Sequence, residues 1–252
     1  DRQDGIGQGE LIALSELLNS KDPGVLADVA SFITSTESFK GNDVAQLKVF
    51  AEHSITSLKL PRDLEAKLLL ENAIAHLEGR ELSDARDQPF NHPIDRIALN
   101  NLPNGQEYIM STDRGDVWFR TFVDEAPGSC LAFDSLVQAG YYDGKYFNRI
   151  VPNFVALAGC PRGDGYGSMD WTLRTEIGLS RYETGSIGLA SAGPDTESCQ
   201  FFITHSPTPH LDGNYTRFGQ VFAGMNVVNN FMVGDRIHSI RRVQQSTDNA
   251  DM

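Results

Sequence analysis

The sequence predicts a small all-α segment followed by a mainly β domain. Apolar residues recur at helical spacing through residues 1–80, and from residue 105 short strand-like runs alternate with glycine-rich loops. Residues 81–104 between them are rich in proline, asparagine and aspartate, which is typical of a linker. Because 252 residues exceed the usual size of one domain, we expect two units with separate cores, and residues 244–252 form a polar tail.

The helical segment is predicted to form two helical hairpins. The first apolar stripe extends from Leu11 to Leu18, and the second follows Asp22, a suitable N-cap with Pro23 at the first helical position. Two further stripes follow, and Gly79 ends the last one with a residue suited to a left-handed conformation. Hairpins at a spacing of roughly 35–40 residues resemble HEAT-type repeats. A four-helix unit without repeat ancestry predicts the same pattern, so both interpretations stay open.

The β domain begins near Tyr108, where the apolar pattern changes to a period of two. Two runs that flank the turn at residues 112–116 predict a β-hairpin, and a helix is expected over about residues 126–139. The runs FNRIV, FVALAG, SIGLAS, CQFFITH and RFGQVF follow, before a helix near residues 225–231 and a last strand near residues 237–243. Short strands at this density predict a closed barrel.

Composition argues against several classes of function. A net charge of −13 disfavours a nucleic-acid partner, because phosphate binding requires clustered lysine and arginine. No apolar run approaches the ~18 residues of a membrane-spanning helix. Cys130, Cys160 and Cys199 are too scattered for a disulfide framework or a zinc site, so we expect buried thiols and no metal. Because the sequence starts at Asp1 without methionine, we expect a processed or trimmed protein.

Two blocks of the β domain resemble a known family. Residues 147–159 read FNRIVPNFVALAG, and residues 185–228 read GSIGLASAGPDTESCQFFITHSPTPHLDGNYTRFGQVFAGMNVV. Together they contain R-x-x-P-x-F, A-x-A-G-P-x-T, Q-F-F-I and L-D-G, in an order similar to that of the cyclophilins, the cyclosporin-binding peptidyl-prolyl cis/trans isomerases. The similarity covers about residues 105–243, and the loops after Pro161 and Ser206 look most like those of the bacterial branch.

The resemblance implies an eight-stranded antiparallel barrel capped by two helices, with the active groove on its outer face. It also implies an enzyme without a cofactor that acts on X-Pro bonds of client polypeptides and assists their folding. The compartment stays open between the bacterial cytoplasm and the cell envelope or periplasm, because the lack of a disulfide pattern suits the first without excluding the second. The helical segment is a candidate contact for a protein partner, by analogy with other helical repeats.

Arg149 is a permanently charged residue within an otherwise apolar run. Rotation about an X-Pro bond is opposed by amide resonance, with a barrier of about 18–20 kcal/mol. A guanidinium presents a fixed fork of donors, which suits it to hold the carbonyl oxygen before proline and to donate toward the imide nitrogen as the bond twists. The resemblance implies this catalytic role for Arg149, with Gln200 beside it. A structural arginine whose stem packs on the barrel is the alternative.

The resemblance also implies a substrate pocket, from which this chain departs at several positions. Leu157 replaces a glutamine that would orient the guanidinium, and Val155 replaces a methionine of the pocket wall, so we expect weakened activity. His210 replaces a tryptophan that favours cyclosporin binding, so weak cyclosporin affinity is expected. The implied substrate-binding residues are Phe154, Val155, Leu157, Ala190, Ser191, Phe202, His210, Leu211 and Tyr215.

Two functions from different classes follow from these residues. The first is a peptidyl-prolyl isomerase, in which an apolar pocket holds the proline ring while Arg149 and Gln200 address its polar atoms. The second is a proline-peptide binding module or scaffold, in which the same groove is kept, Leu157 and Val155 have weakened turnover, and the helical segment provides the main protein contact. Isomerase activity that depends on Arg149 distinguishes the first from the second.

Overall fold

The computed structural model describes residues 7–36, 39, 42–81, 92 and 94–244. The chain divides into two compact units. The first contains Asp1–Gln88 and Asp164–Trp171, and the second contains Pro89–Gly163 and Thr172–Met252. Residues 82–91 and 93 of the predicted linker and nearly all of the predicted polar tail lie outside the described residues. The domain limits taken from the sequence therefore stay a prediction.

In the described residues of the first unit, four helices form two stacked hairpins. They are α1 Gln8–Leu18, α2 Pro23–Ser35, α3 Asn42–Ile55 and α4 Leu64–Leu77. Helix α1 packs against α2 and α3, and α4 packs against the same two helices. Their apolar stripes meet in one core, formed by Leu11, Leu14, Leu18, Leu26, Val29, Ala30, Ile33, Leu47, Ala51, Leu70, Ala73 and Ile74. The predicted helical segment is present, and its relation to HEAT repeats stays a prediction.

The ends of these helices carry the signals expected from the sequence. One carboxylate oxygen of Asp22 accepts a hydrogen bond from the backbone N–H of Gly24 at 2.8 Å, and Pro23 occupies the first helical position. This cap satisfies a donor that the helix itself cannot satisfy, and such a cap contributes about 1 kcal/mol. After α4, Gly79 adopts a left-handed φ of 67°, which a residue with a Cβ adopts only at a cost.

The segment Asp164–Trp171 is part of the first unit although it is distant from the helices in sequence. The Tyr166 hydroxyl donates a hydrogen bond to the carboxylate of Asp28 at 2.8 Å. The guanidinium of Arg62 lies 2.5 Å from the carboxylate of Asp170. Because both pairs are exposed, each contributes little to stability and serves mainly to fix where the segment lies.

The part of the second unit that the structure describes contains eight strands and a few helices. Its elements in chain order are α5 Arg96–Asn100, β1 Glu107–Thr112, β2 Gly115–Thr121, α6 Pro127–Gln138, β3 Phe147–Val151, β4 Val155–Ala158, β5 Ser186–Leu189, β6 Phe201–Thr204, a 3₁₀ helix Pro209–Leu211, β7 Arg217–Ala223, α7 Met225–Val228 and β8 Ile237–Arg242. Helix α5 lies within the predicted linker, where the sequence indicated no regular structure. Asp95 caps it by accepting hydrogen bonds from the backbone of Ile97 and Ala98 at 2.9 and 3.1 Å.

The eight strands form one antiparallel sheet in the order β3-β4-β6-β5-β7-β2-β1-β8. The sheet curls until its two edge strands meet near their first residues. The N–H of Phe147 donates to the carbonyl of Asp235 at 2.9 Å, and the N–H of Ile237 donates to the carbonyl of Lys145 at 2.8 Å. This contact satisfies backbone groups that an open edge would expose. The predicted eight-stranded antiparallel barrel with its helices is confirmed.

Helix α6 packs against β8 and places one phenylalanine in an aromatic core. The ring of Phe133 lies 5.1–5.9 Å from the rings of Tyr108, Phe119, Tyr142, Phe201 and Phe218. The next residue, Asp134, is almost fully buried and accepts a hydrogen bond from the Tyr108 hydroxyl at 2.8 Å. Its carboxylate also pairs with the guanidinium of Arg242 on β8, so the charge is compensated.

The three cysteines are buried and form no disulfide, as the sequence predicted. Burial raises the pKa of the Cys199 thiol to about 11, so this thiol stays protonated and unreactive near neutral pH. No helix among the described residues combines the length and the apolar character required to cross a membrane. Within the same residues, no cluster of side chains has the composition of a metal site.

Candidate active site

One row of residues crosses four neighbouring strands of the sheet. Arg149 of β3 lies opposite Leu157 of β4, and Leu157 lies opposite Phe202 of β6. Phe202 in turn lies opposite Gly188 of β5. Directly opposed residues of antiparallel strands project to the same face, with Cβ atoms about 4.5–5.5 Å apart. Arg149 and Phe202 therefore share one face of the sheet, with a single leucine between them.

Arg149 is exposed, in contrast to most of the strand residues around it. Within the part of the chain that the structure describes, its guanidinium forms no hydrogen bond and no ion pair. Phe147, two residues earlier on the same strand, is fully buried. An arginine held for structural reasons would be expected to pair with a carboxylate or carbonyl group. The five donors of Arg149 instead stay available to a ligand on this face.

An apolar cluster lies beside Arg149 and forms the candidate pocket. Its buried members are Val155, Phe202, Leu211 and Tyr182, and Val151, Phe154, Leu157, Ala190 and Tyr215 pack against them with partial exposure. Phe202 lies at its centre, with the ring of Tyr215 edge-on to it at 6.0 Å and 89°. The combination of a buried floor and half-exposed walls leaves an apolar surface that can receive a small ring.

A tight turn between β3 and β4 presents Phe154 to this pocket. Asn153 adopts a left-handed φ of 61°, a conformation that asparagine tolerates better than most residues. The N–H of Phe154 donates to the carbonyl of Val151 at 3.0 Å, and its own carbonyl accepts from the N–H of His205 at 2.8 Å. These bonds hold the backbone from both sides. The ring lies 5.2 Å from the imidazole of His210, which is exposed at the pocket rim.

The residues that follow β5 lie beside the start of β6. The N–H of Ala190 donates to the carbonyl of Gln200 at 3.0 Å, which continues the pairing of these strands by one step. Because side chains alternate along an extended chain, Gln200 projects to the same face as Phe202. Ser191 follows Ala190 and is half-buried. The loop then turns back through a hydrogen bond from the N–H of Ala192 to the Thr196 hydroxyl at 2.8 Å.

Residues 108–247 match the family model described as cyclophilin type peptidyl-prolyl cis-trans isomerase/CLD. The chain belongs to this family. It is 38% identical over 136 residues to peptidyl-prolyl cis-trans isomerase B of Bacillus subtilis, and this match covers 53% of this chain and 95% of that protein. It is 39% identical over 137 residues to a peptidyl-prolyl cis-trans isomerase of Synechococcus elongatus, covering 54% of this chain and 94% of that protein.

A solved cyclophilin has the same fold. The crystal structure of a cyclophilin-type peptidyl-prolyl cis-trans isomerase from Cryptosporidium parvum, determined in the presence of the dipeptide Ala-Pro, superposes with a TM-score of 0.53. Its sequence is 28% identical, and the match covers 56% of this chain and 100% of that chain. The matched share agrees with the extent of the β domain, so the cyclophilin fold accounts for the barrel and not for the helical segment.

The structure also contains a buried carboxyl group that the sequence did not single out. Glu197 is fully buried, and its oxygens accept hydrogen bonds from the hydroxyls of Thr175 and Thr216 at 2.9 and 3.2 Å. Burial raises the pKa of Glu197, and the two threonine bonds oppose this shift. Because Thr216 immediately precedes β7 and follows Tyr215, this network ties a pocket wall to the loop before β5.

Tyr182 is a pocket residue that the resemblance to the family did not indicate. It is 2% exposed and belongs to the cluster around Phe202. A weak signal for it was present in the sequence, because a glycine inside a predicted strand marks a close approach of another group. That glycine is Gly188. Which group approaches it depends on the path of a loop, and periodicity does not encode such a path.

Proposed function

We propose that the active site of this peptidyl-prolyl cis-trans isomerase is the groove that carries Arg149, with Arg149 and Gln200 as its polar catalytic groups. Family membership supports the activity, since relatives in Bacillus subtilis and Synechococcus elongatus are named peptidyl-prolyl cis-trans isomerases. The row from Arg149 through Leu157 to Phe202 is the observation that carries the assignment of the site. It sets a fork of donors beside an apolar floor.

The groove lowers the rotational barrier by acting on the electrons of the amide. The pyrrolidine ring of the substrate rests on Phe202, bordered by Phe154 and Leu211, while its preceding carbonyl faces Arg149. As the C–N bond twists, conjugation is lost and the imide nitrogen becomes a better acceptor, so the guanidinium binds the twisted state more tightly than either planar state. Every ~1.4 kcal/mol of this difference gives a tenfold rate increase.

The chemistry of the groove fits proline-containing polypeptides as substrates. The apolar cluster around Phe202 forms its floor and walls, so they match the hydrocarbon ring of proline. Ala190 is small and lies beside the pocket, where an extended substrate backbone needs close approach. The structure determined with Ala-Pro shows that a related cyclophilin was studied with a proline dipeptide. The reaction requires no cofactor, because no bond is made or broken.

Substitution of Arg149 tests this assignment directly. We expect Arg149→Ala to lower kcat/KM by about 100- to 1,000-fold, the usual effect of removing one preorganised donor to a transition state. Arg149→Lys keeps the charge and loses the planar fork, so it should recover only a small part of the activity. The measurement is protease-coupled cleavage of a Suc-Ala-Phe-Pro-Phe type peptide, with peptide binding followed separately by titration.

A matched control is available on another strand. Arg120 on β2 is also an exposed arginine, and β2 is separated from the groove strands by β7. Arg120→Ala should leave kcat/KM within about twofold of wild type, since surface substitutions away from the site have small effects. Wild type no faster than Arg149→Ala, with peptide binding retained, would instead support the proline-peptide binding module. Family membership does not favour that alternative.

For the helical unit we propose a role as a contact for a protein partner. Its helices leave several large apolar side chains at the surface, among them Ile12, Leu17, Phe32 and Val49, each 45–62% exposed. Scattered exposed apolar residues are common, so the test has to be specific. A partner captured by the wild-type chain should be lost with Phe32→Asp and kept with Ser31→Asp, the neighbouring exposed position. Equal capture by both variants would contradict the proposal.

A further inference from the structure

The loop before β5 places one tyrosine directly behind the pocket. The backbone of Tyr182 is held at both of its polar groups by the loop that carries His210 and Leu211. Its N–H donates to a carboxylate oxygen of Asp212 at 2.8 Å, and its carbonyl accepts from the N–H of Thr208 at 2.9 Å. Tyr182 is therefore fixed to the same short segment that forms the pocket rim.

The side chain of Tyr182 packs against the pocket floor. Its ring is stacked on that of Phe202, with centroids 5.7 Å apart and planes inclined by 23°. Val155 and Leu211 complete the buried part of the same cluster. Offset stacking of this kind stabilises one orientation of both rings beyond the area they bury. Phe202 thus meets Tyr182 on one side and the edge of the Tyr215 ring on another.

Gly188 provides the space that Tyr182 fills. A Cβ atom at this position would lie 2.3 Å from the hydroxyl oxygen of Tyr182 and 2.5 Å from Cζ of Phe202. Real Cβ atoms do not approach other heavy atoms this closely, so any side chain at residue 188 would displace one ring or the other. Gly188 is the β5 residue opposite Phe202 and has no side chain. The ring of Tyr182, which lies outside the sheet, occupies the space that a side chain would fill.

The hydroxyl of Tyr182 has no evident structural purpose. Its oxygen is buried and has no hydrogen-bond partner among the residues that the structure describes. Burial raises the pKa of Tyr182, so the phenol stays neutral at physiological pH. A buried hydroxyl without a partner lowers stability, and a phenylalanine would avoid that loss. The contribution of this residue to the groove therefore comes from its ring.

We propose that Tyr182 is a positioning residue of the isomerase groove, which together with Gly188 fixes the ring plane of Phe202 beneath the substrate proline. This inference rests on the proposed function. When the Phe202 ring keeps one orientation, it holds the pyrrolidine ring of the substrate in place while the amide twists beside Arg149. If Phe202 were free to tilt into a gap, ground-state binding would change little, whereas the geometry required in the transition state would be lost.

The first test compares two substitutions that remove the same kind of ring. Tyr182→Leu should lower kcat by about 10- to 100-fold, the range expected when a reacting group is displaced by about 1 Å, with KM changed less than about threefold. Phe119→Leu is the control, because Phe119 is also 2% exposed and stacked on a tyrosine, Tyr108, at 5.3 Å. It should lower the melting temperature to a similar extent and leave kcat within about twofold.

Two further variants distinguish the effect of the Tyr182 ring on kcat from the effect of its hydroxyl and from a general loss of stability. Tyr182→Phe keeps the ring and should retain wild-type kcat, whereas a loss as large as that of Tyr182→Leu would overturn a role for the ring. Gly188→Ala introduces the clash from the opposite side and should lower kcat in the same way. In the double variant Gly188→Ala/Tyr182→Leu the contact with the Tyr182 hydroxyl is removed and the one with Phe202 remains. Because both changes act on the same ring of Phe202, the combined loss should be smaller than the product of the two single losses.

The outcomes also distinguish this inference from the function on which it depends. Wild type that is no faster than Arg149→Ala would remove the proposed function itself. Wild type that is faster than Arg149→Ala, with Tyr182→Leu and Phe119→Leu equally active, would remove only the role of Tyr182. If Tyr182→Leu does not fold, Gly188→Ala decides, because wild-type kcat in that variant would show that the orientation of Phe202 does not limit the reaction.

Discussion

Leu157 is the position at which a single substitution is expected to improve this enzyme. It lies directly opposite Arg149 in the β3–β4 pair and is half-buried. Cβ atoms of such a pair are about 5 Å apart, so the amide of a glutamine at residue 157 reaches the guanidinium. Leucine offers no acceptor, and Arg149 has no competing partner among the described residues. The glutamine amide in Leu157→Gln should therefore orient the guanidinium of Arg149, which at present is held only by its own alkyl chain.

The expected gain follows from two opposing terms. A hydrogen bond to a charged group contributes about 1.5–3 kcal/mol, and fixing a glutamine side chain costs about 1 kcal/mol more rotamer freedom than fixing the leucine that it replaces. The difference of about 1 kcal/mol corresponds to about fivefold in kcat/KM. Loss of the half-buried leucine should lower the free energy of unfolding by about 1–2 kcal/mol. The variant is thus expected to be faster and less stable than wild type.

The assay is protease-coupled isomerisation at a temperature at which all variants are folded, combined with urea unfolding. Leu157→Met is the matched control, because methionine has a similar volume and no amide, and it should leave kcat/KM near the wild-type value. The gain should also disappear in an Arg149→Ala background. An equal gain with methionine, or a gain that persists without Arg149, would refute the reasoning.

Two further predictions concern the scaffold. Asp134→Ala leaves the Tyr108 hydroxyl and the Arg242 guanidinium without their shared acceptor. The urea midpoint should fall by the equivalent of about 3 kcal/mol. A loss below about 1 kcal/mol would show that the Asp134–Arg242 pair is dispensable. Burial raises the pKa of Glu197 above its ordinary 4.5, so its contribution to stability is complete below that pH and is lost as pH rises through the folded-state pKa. Thermal unfolding from pH 4 to 8 should therefore decline more for wild type than for Glu197→Gln, and parallel curves would contradict this.

Several elements of the fold were predictable from local patterns. The stripe of Leu11 to Leu18 and the cap at Asp22 indicated helices that the structure contains, because burial of one helix face is written directly into residue spacing. The hairpin before α6 was equally readable from its period of two. The short helix at Arg96–Asn100 was not, since prolines and polar residues around it are typical of irregular chain.

The residues that form the candidate site were predictable from the sequence, and the residues that hold them in position were less so. Motif order identified the arginine and the pocket residues, and strand register then placed Arg149, Leu157 and Phe202 in one row. Glu197 and Tyr182 were missed, because each acts through neighbours that are distant in sequence. The roles of the individual site residues stay predictions until the substitutions above are measured.

By itself, the sequence determined the two classes of structure, the family of the β domain and the chemical groups of the groove. These follow from residue type and spacing, which act over a few neighbouring positions. Only the tertiary structure decided that Tyr182 fills the gap at Gly188 and stacks beneath Phe202. The physical reason is that close packing joins side chains from separate segments, and their distance is set only once the sheet has curled and the loops have closed over it.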